Sequence, residues 1–178
     1  MRIFAHYQLR FYRRICEPVL VLSGEIEYRL VDSTAFPWDK NPRPGNINVY
    51  RQRFADGGVA FIGRSGEEVV FSAWLQRSRL RIDELSWTWN LPHTDAVVYD
   101  VETMDAWRGR GIYPEALRRL SGLLADEGLR YIWIYAEAGN TASLRGIEKA
   151  FFDFRGSLSA LHVIGLTFRR GTVEGVNA

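Results

Sequence analysis

The stretch covering residues 96–136 constrains the fold of this chain most. Residues 96–104 (Ala-Val-Val-Tyr-Asp-Val-Glu-Thr-Met) favour a strand, and a turn rich in Gly and Arg follows at 108–111. Residues 112–128 then carry Leu117, Leu120, Leu123 and Leu124 at the three-and-four spacing of one helical face, with Gly128 as a cap. Residues 130–136 alternate aromatic and aliphatic side chains and predict a second strand. Strand, helix and strand in this order return the chain parallel to itself, because neighbouring parallel strands need a crossover longer than a turn.

The flanking segments read as antiparallel. Residues 59–64 and 68–76 are β-favouring runs separated by Ser65-Gly66, a hairpin signature. Residues 80–90, with Trp87 and Trp89 and closed by Pro92, predict a further strand or an aromatic loop. A second helix is expected over 141–152 after Gly139-Asn140, and one or two closing strands over 157–169. Upstream, residues 19–31 look extended, with a break at Ser23-Gly24. Residues 33–45 hold Pro37, Pro42 and Pro44, which argue against regular structure there. A short helix is expected over 46–55, ended by Gly57-Gly58. Tyr7 and Phe11 stand at helical spacing and read as core packing. The expected class is α+β, a mostly antiparallel sheet passing into a β-α-β crossover.

Length and composition set the outer bounds. At 178 residues, 47% hydrophobic and 25% charged, the chain reads as one globular domain over 1–178. Disorder, collagen-like repeats and coiled coil are disfavoured. Its longest apolar runs, 18–22 and 131–136, fall far short of the roughly 20 residues that span a bilayer. Arg2, Arg10, Arg13 and Arg14 sit among aromatics without the apolar core of a secretory signal, so a cytoplasmic location is expected. Cys16 stands alone, which excludes an internal disulfide and a cysteine metal cage, and no metal is expected. With His6, His93 and His162 scattered, Cys16 reads as a small core residue rather than a nucleophile.

The net charge is only +2, from 23 basic and 21 acidic residues, which disfavours nucleic acid as a partner. Nearly all the positive charge is arginine. Arg77, Arg79 and Arg81 alternate as a strand would and put three guanidiniums on one face. That face is either solvated or meets an anionic ligand or nucleic acid.

Chemistry is written most clearly in 97–111. A glycine-bearing turn between strand and helix leaves backbone amides unpaired at the positive end of the helix dipole, which suits an anion. Gly109 and Gly111 permit close backbone approach, Arg108 and Arg110 add charge, and Pro114 fits the first helical turn. A solvated corner is the plain alternative. The lysine and Ser/Thr of a nucleotide P-loop and the three-glycine dinucleotide fingerprint are both missing.

With these residues in view, the sequence resembles the GNAT superfamily of acyl-CoA N-acyltransferases. The family's Arg/Gln-x-x-Gly-x-Gly/Ala loop is matched by Arg108, Gly109, Arg110, Gly111 and Ile112, with Tyr113 standing where Gly or Ala is usual. Its later helix is matched by Asn140, Ser143, Glu148, Lys149 and Phe152, with Phe151 in place of a glycine. Residues 59–152 carry the match and 1–58 diverge.

The resemblance implies a sheet whose central parallel strands splay apart to admit acetyl-CoA. Val101 and Thr103 would line the cleft, Arg108, Gly109, Arg110, Gly111, Ile112 and Tyr113 would hold the pyrophosphate, and Asn140 and Ser143 would contact the cofactor arm. Backbone amides over 101–103 would polarise the thioester carbonyl. It also implies transfer of an acetyl or other acyl group to the primary amine of a small molecule by direct attack. The family's usual acid, a tyrosine, falls on Ile147, so Tyr113 or Ser143 substitutes, or the thiolate leaves unassisted.

For the base, strand alternation puts Asp100 and Glu102 on one face and Tyr99, Val101 and Thr103 on the other. Asp100 and Glu102 are the candidates, with Glu137 third, unless they lie on an open solvated face. His93 and Asp95 precede the strand as outer candidates for the acceptor site. Trp87 and Trp89 read as core residues or, less simply, as an aromatic platform. Two other readings stay open: a CoA-binding sensor or protein-interaction domain without catalysis, and a nucleic-acid module using the arginines. Phe4, Tyr7, Phe11 and Tyr12, if exposed, would suit a homodimer interface.

Overall fold

A computed structural model describes residues 4–19, 24–40 and 44–176. The expected break at Ser23 and the loop residue Pro42 lie outside the described residues, as does Arg2. In chain order the elements are β1 (Phe4–Ile15), β2 (Glu27–Val31), α1 (Ile47–Ala55), β3 (Val59–Ser65), β4 (Glu68–Gln76), β5 (Arg79–Ile82) and β6 (Trp87–Asn90). They continue with β7 (Asp95–Thr103), α2 (Ile112–Asp126), β8 (Tyr131–Glu137), α3 (Thr141–Lys149), β9 (Asp153–Val163) and β10 (Leu166–Val173). Eight strands form one sheet in the order β10-β9-β1-β8-β7-β4-β3-β2, and β5 pairs with β6 separately. Every pairing is antiparallel except β7 with β8, joined through α2 as the crossover requires. The class is α+β.

Burial explains the layering. On one sheet face, α2 and α3 lay Ile112, Leu117, Leu120, Leu124 and Ile147 against Phe71, Val98, Ile132 and Ile134. Leu117, Leu120 and Leu124 lose all solvent contact, and each such leucine stabilises the fold by roughly 1.5–3 kcal/mol. Leu123 departs from the expected stripe, since 36% of its surface stays exposed at the rim. On the other face, α1 and the β5–β6 hairpin cover Trp74, Val97, Tyr99 and Trp133 with Tyr50, Leu80, Ile82, Trp87 and Trp89.

Four sequence expectations need correction. Tyr7 and Phe11 lie on strand β1, not a helix; residues four apart share a face in both structures, so the spacing could not distinguish them. β1 pairs with β8 on one side and β9 on the other. Leu9, Phe11 and Tyr12 are accordingly buried. The aromatic stretch 80–90 is a hairpin closed by a short 3-10 turn over Asp83–Leu85. The second helix stops at Lys149 rather than 152 because Phe151 adopts φ +61°, a left-handed conformation. The closing strands run from 153 to 173, hinged at Ile164-Gly165, both at positive φ as a tight hairpin turn demands.

Candidate active site

Two irregularities in β7 create the site. Pairing between β7 and β8 runs only from Asp95–Tyr131 to Val98–Ile134, and the strands then part. On its other edge, β7 matches Trp74 with Tyr99 and then Ser72 with Glu102, so Asp100 and Val101 together oppose Ala73. This is a bulge, and Asp100 takes φ +47° to make it. An aspartate held left-handed is uncommon and costs energy that the surrounding sheet must supply.

The bulge overturns the expected alternation. Glu102 lines a cavity on one side of the strand, together with Val101 and Thr103, whereas Asp100 and Tyr99 line a second cavity. The two acids therefore serve different spaces. A regular strand would have kept them on one face; the extra residue shifts the phase.

The first cavity, of about 560 Å³, lies between the start of α2 and α3. The structure gathers Val101, Glu102, Thr103, Arg108, Gly109, Gly111, Ile112, Tyr113, Asn140 and Ser143 around it. Gly109 and Gly111 stand at φ +77° and +76°, and a Cβ on either would meet no atom within 4 Å. The amides of Gly109, Arg110 and Gly111 make no hydrogen bond among the described residues. Such a turn at a helix N-terminus offers its amides to an anion. Arg108 is tied down from both sides, donating to the Thr103 carbonyl at 3.1 Å and pairing with Asp105 at 2.7 Å. Arg110 lies 4.7 Å over the Trp107 ring and does not line the cavity.

Tyr113 closes the cavity wall. Its hydroxyl lies 2.9 Å from Ser143 Oγ, and burial pushes its pKa up to about 12. A Cβ at Gly146 would come within 2.6 Å of the Tyr113 ring, so that glycine makes room for it. Asn140 caps α3 by accepting from the Ser143 amide at 3.1 Å. Ile147, at the position the resemblance assigns to an acid, is fully buried in the core. Thr103 Oγ1 is buried and has no hydrogen-bond partner among the described residues. An orphaned hydroxyl beside open amides fits a long ligand with polar groups along it and an anionic end, as acetyl-CoA has.

The second cavity, of about 680 Å³, opens between α1 and the β5–β6 hairpin. Its walls include Gln52, Arg53, Asp56, Arg79, Arg81, Asp83, Glu84, Tyr99, Asp100 and Tyr135. Arg53 pairs with Asp100 at 2.6 Å and lies 5.2 Å over Tyr99 and 5.1 Å over Trp74. Burial pushes Tyr99 up to about 12, opposed by Arg53 and reinforced by Asp100 and Asp56. Burial also drives Tyr135 upward, with Glu84 adding to the shift. Both phenols thus stay neutral and can donate. Tyr135, Glu84 and Arg53 were not marked by sequence reasoning, because each looks ordinary in its own segment.

The remaining candidates lie elsewhere. His93 is exposed, and Asp95 is buried, accepting from Trp133 Nε1 at 2.7 Å and Thr94 Oγ1 at 2.8 Å. Both sit at the wrong end of β7, since the five residues from Asp95 to Asp100 span about 16 Å of strand. Glu137 is exposed at the end of β8 and lines neither cavity. Trp87 and Trp89 stack at 5.7 Å within the core and form no platform. Arg77 leaves the expected arginine face to pair with Glu127 at 2.5 Å, while Arg79 and Arg81 remain together on β5. Cys16 is half-buried with its thiol pushed up to about 11, chiefly by burial, so it is protonated at neutral pH. No described helix is long and apolar enough to cross a membrane.

No family model matches the chain. Over 142 residues, 76% of its length, it is 26% identical to the mycothiol acetyltransferase of Corynebacterium glutamicum, of which it spans 43%. An acetyltransferase of the GNAT family from Colwellia psychrerythraea superposes with a TM-score of 0.57 at 15% identity. That match covers 85% of this chain and 53% of the other. A GCN5-related N-acetyltransferase from Sphaerobacter thermophilus superposes with a TM-score of 0.59 at 13% identity, covering 98% of this chain and 55% of the other. The chain thus spans less than half of that curated relative and just over half of these two solved structures.

Proposed function

We propose, from the premise that the chain has the fold of the GNAT acetyltransferases, that it moves an acetyl or other acyl group from acyl-CoA to a primary amine of a small molecule. The observation that carries this reading is the bulged and splayed β7. It gives one strand a cavity with open amides on one side and a cavity with carboxylates and phenols on the other.

Acetyl-CoA, when bound, supplies the activated thioester. In this reading the turn from Arg108 to Tyr113 holds the phosphates by main-chain amides, and Asn140, Ser143 and Thr103 contact the arm. Amides of β7 beyond Val98, released from β8 pairing, polarise the thioester carbonyl. Asp100 takes the ammonium proton of the acceptor, directly or through a water, because it is the candidate acid on the acceptor side. Glu102, on the cofactor side, shapes that cavity instead. Tyr113 donates a hydrogen bond to the departing sulfur. With its pKa near 12 against about 8.5 for a thiol, it steadies the thiolate without surrendering its proton.

Calorimetric titration with acetyl-CoA, using 3′-dephospho-CoA and ATP as controls, tests the reading. Saturable binding that survives loss of the 3′-phosphate and is absent for ATP is expected. No binding at millimolar cofactor sinks it. Binding without turnover of any amine would favour a non-catalytic CoA sensor, the reading that Ile147 in the core leaves standing.

A further inference from the structure

We infer that the acceptor carries an anionic group, a carboxylate or a phosphate, at a distance from the amine that is acylated, and that Arg79 and Arg81 hold that group. The inference rests on the acyl-transfer reading and names the substrate class for its second cavity.

The argument starts from β5. Its burial alternates, with Leu80 and Ile82 turned into the core and Arg79 and Arg81 turned out, so the two guanidiniums share one face. That face lines the second cavity. Arg79 makes no ion pair among the described residues, and Arg81 meets only Asp83, at 3.2 Å, whose side chain is 89% exposed. Two planar donor groups side by side match the geometry of an oxyanion, and neither is committed to a buried partner. Arg53, by contrast, is already held by Asp100.

The opposite charge gathers beside β7. Asp100 stands at the bulge, and Glu84 and Asp56 act electrostatically on the phenols of Tyr135 and Tyr99. An ammonium entering there meets carboxylates and neutral phenols, which suit a cation before it loses its proton. The wall mixes both signs: Arg53 is matched by Asp100 and Asp83 covers Arg81 only from an exposed position, so Arg79 and Arg81 with Asp56 and Glu84 suit a ligand bearing both charges. A polyamine would find the acids but would set its second cation against Arg79 and Arg81.

The test compares matched acceptors under saturating acetyl-CoA: 4-aminobutyrate against butylamine, 3-aminopropyl phosphate against 3-aminopropanol, and spermidine as the polycation. The anionic member of one pair should show a kcat/KM at least about tenfold above its neutral partner, as charge-assisted hydrogen bonds to arginine allow. The carboxylate and phosphate pairs decide which oxyanion is preferred. In the double variant Arg79→Gln/Arg81→Gln the preference should vanish through KM, with kcat and CoA affinity unchanged. Equal or better turnover of neutral amines or spermidine, or a double variant that slows every acceptor alike, overturns the inference while leaving acyl transfer intact. If CoA binds but no amine turns over, direct calorimetry of the anionic amines decides, and no binding overturns it. Failure to bind CoA at all instead removes the acyl-transfer reading itself.

Discussion

On one side of β7 the cavity between the start of α2 and α3 is lined by three short runs, 101–103, 107–114 and 140–149, and the middle run offers open main-chain amides. On the other side the cavity beneath Tyr99 is assembled from side chains of α1, the β5–β6 hairpin, β7 and β8. The difference teaches how function can be stored in a chain. A backbone site needs glycines at set positions in one short segment, so it can be found by eye. A side-chain site needs the whole fold before its members meet.

The sharpest way to break the comparison is Gly111→Val. If main-chain access defines the first cavity, a branched side chain at φ +76° disturbs the turn and fills the approach. Losing two charge-assisted bonds to phosphate lowers CoA affinity by about 1000-fold. Calorimetry measures this, and a cooperative melting transition lowered by only about 2–10 °C, the cost of the strained backbone, shows that the fold survives. Unchanged affinity would mean the turn is only a solvated corner.

Asp100→Asn tests the other side. Asparagine tolerates the left-handed backbone, so the bulge persists while the carboxylate is lost. Loss of a general base should reduce kcat about 100-fold with CoA affinity unchanged. Glu102→Gln serves as the contrast, and a larger fall in kcat there would return the base to the cofactor side.

A smaller effect is expected from Tyr113→Phe. The hydroxyl bonded to Ser143 disappears while the ring keeps its contact with Gly146, so kcat falls roughly 10- to 20-fold, the low end for a hydrogen bond to a charged group such as the departing thiolate. Smallest is the effect at Cys16, where burial holds the thiol up to about 11 against an ordinary value of 9.0. Alkylation should be slow at pH 8 and accelerate only as pH nears 11. The sign follows from linkage: the folded state holds this proton more tightly, so its contribution to stability is complete below pH 9 and is lost as pH rises through 11. Rapid labelling at pH 8 would show that the thiol is not buried.

The same contrast explains what could be read from sequence. The crossover through α2 was legible because its helix and both strands have strong, distinct periods. So was the glycine turn, whose residues are contiguous. The bulge at Asp100 was not, since nothing in Tyr-Asp-Val-Glu signals an extra residue on one strand; only the mismatch with Ser72 and Trp74 reveals it. Pairing Asp100 with Glu102 failed for that reason alone. Glu84 and Tyr135 were missed because they reach the cavity only after the β5–β6 hairpin packs beneath the sheet. The spacing of Tyr7 and Phe11 does not reveal strand β1, because a separation of four satisfies both periods.

The placement of β1 also has a consequence for how the molecule is made. Its two hydrogen-bonding neighbours, β8 and β9, begin at Tyr131 and Asp153, more than about a hundred residues further along the chain than the end of β1 at Ile15. At about 5–20 residues per second, its aromatic and arginine side chains wait on the order of ten seconds for both partners to emerge. Within the sheet of the described residues, the two blocks β9–β10 and β8 through β2 meet across this strand. Assembly of this part of the sheet therefore waits for segments far along the chain, and a nascent chain stalled before residue 153 leaves one edge of β1 open to whatever strand it meets first.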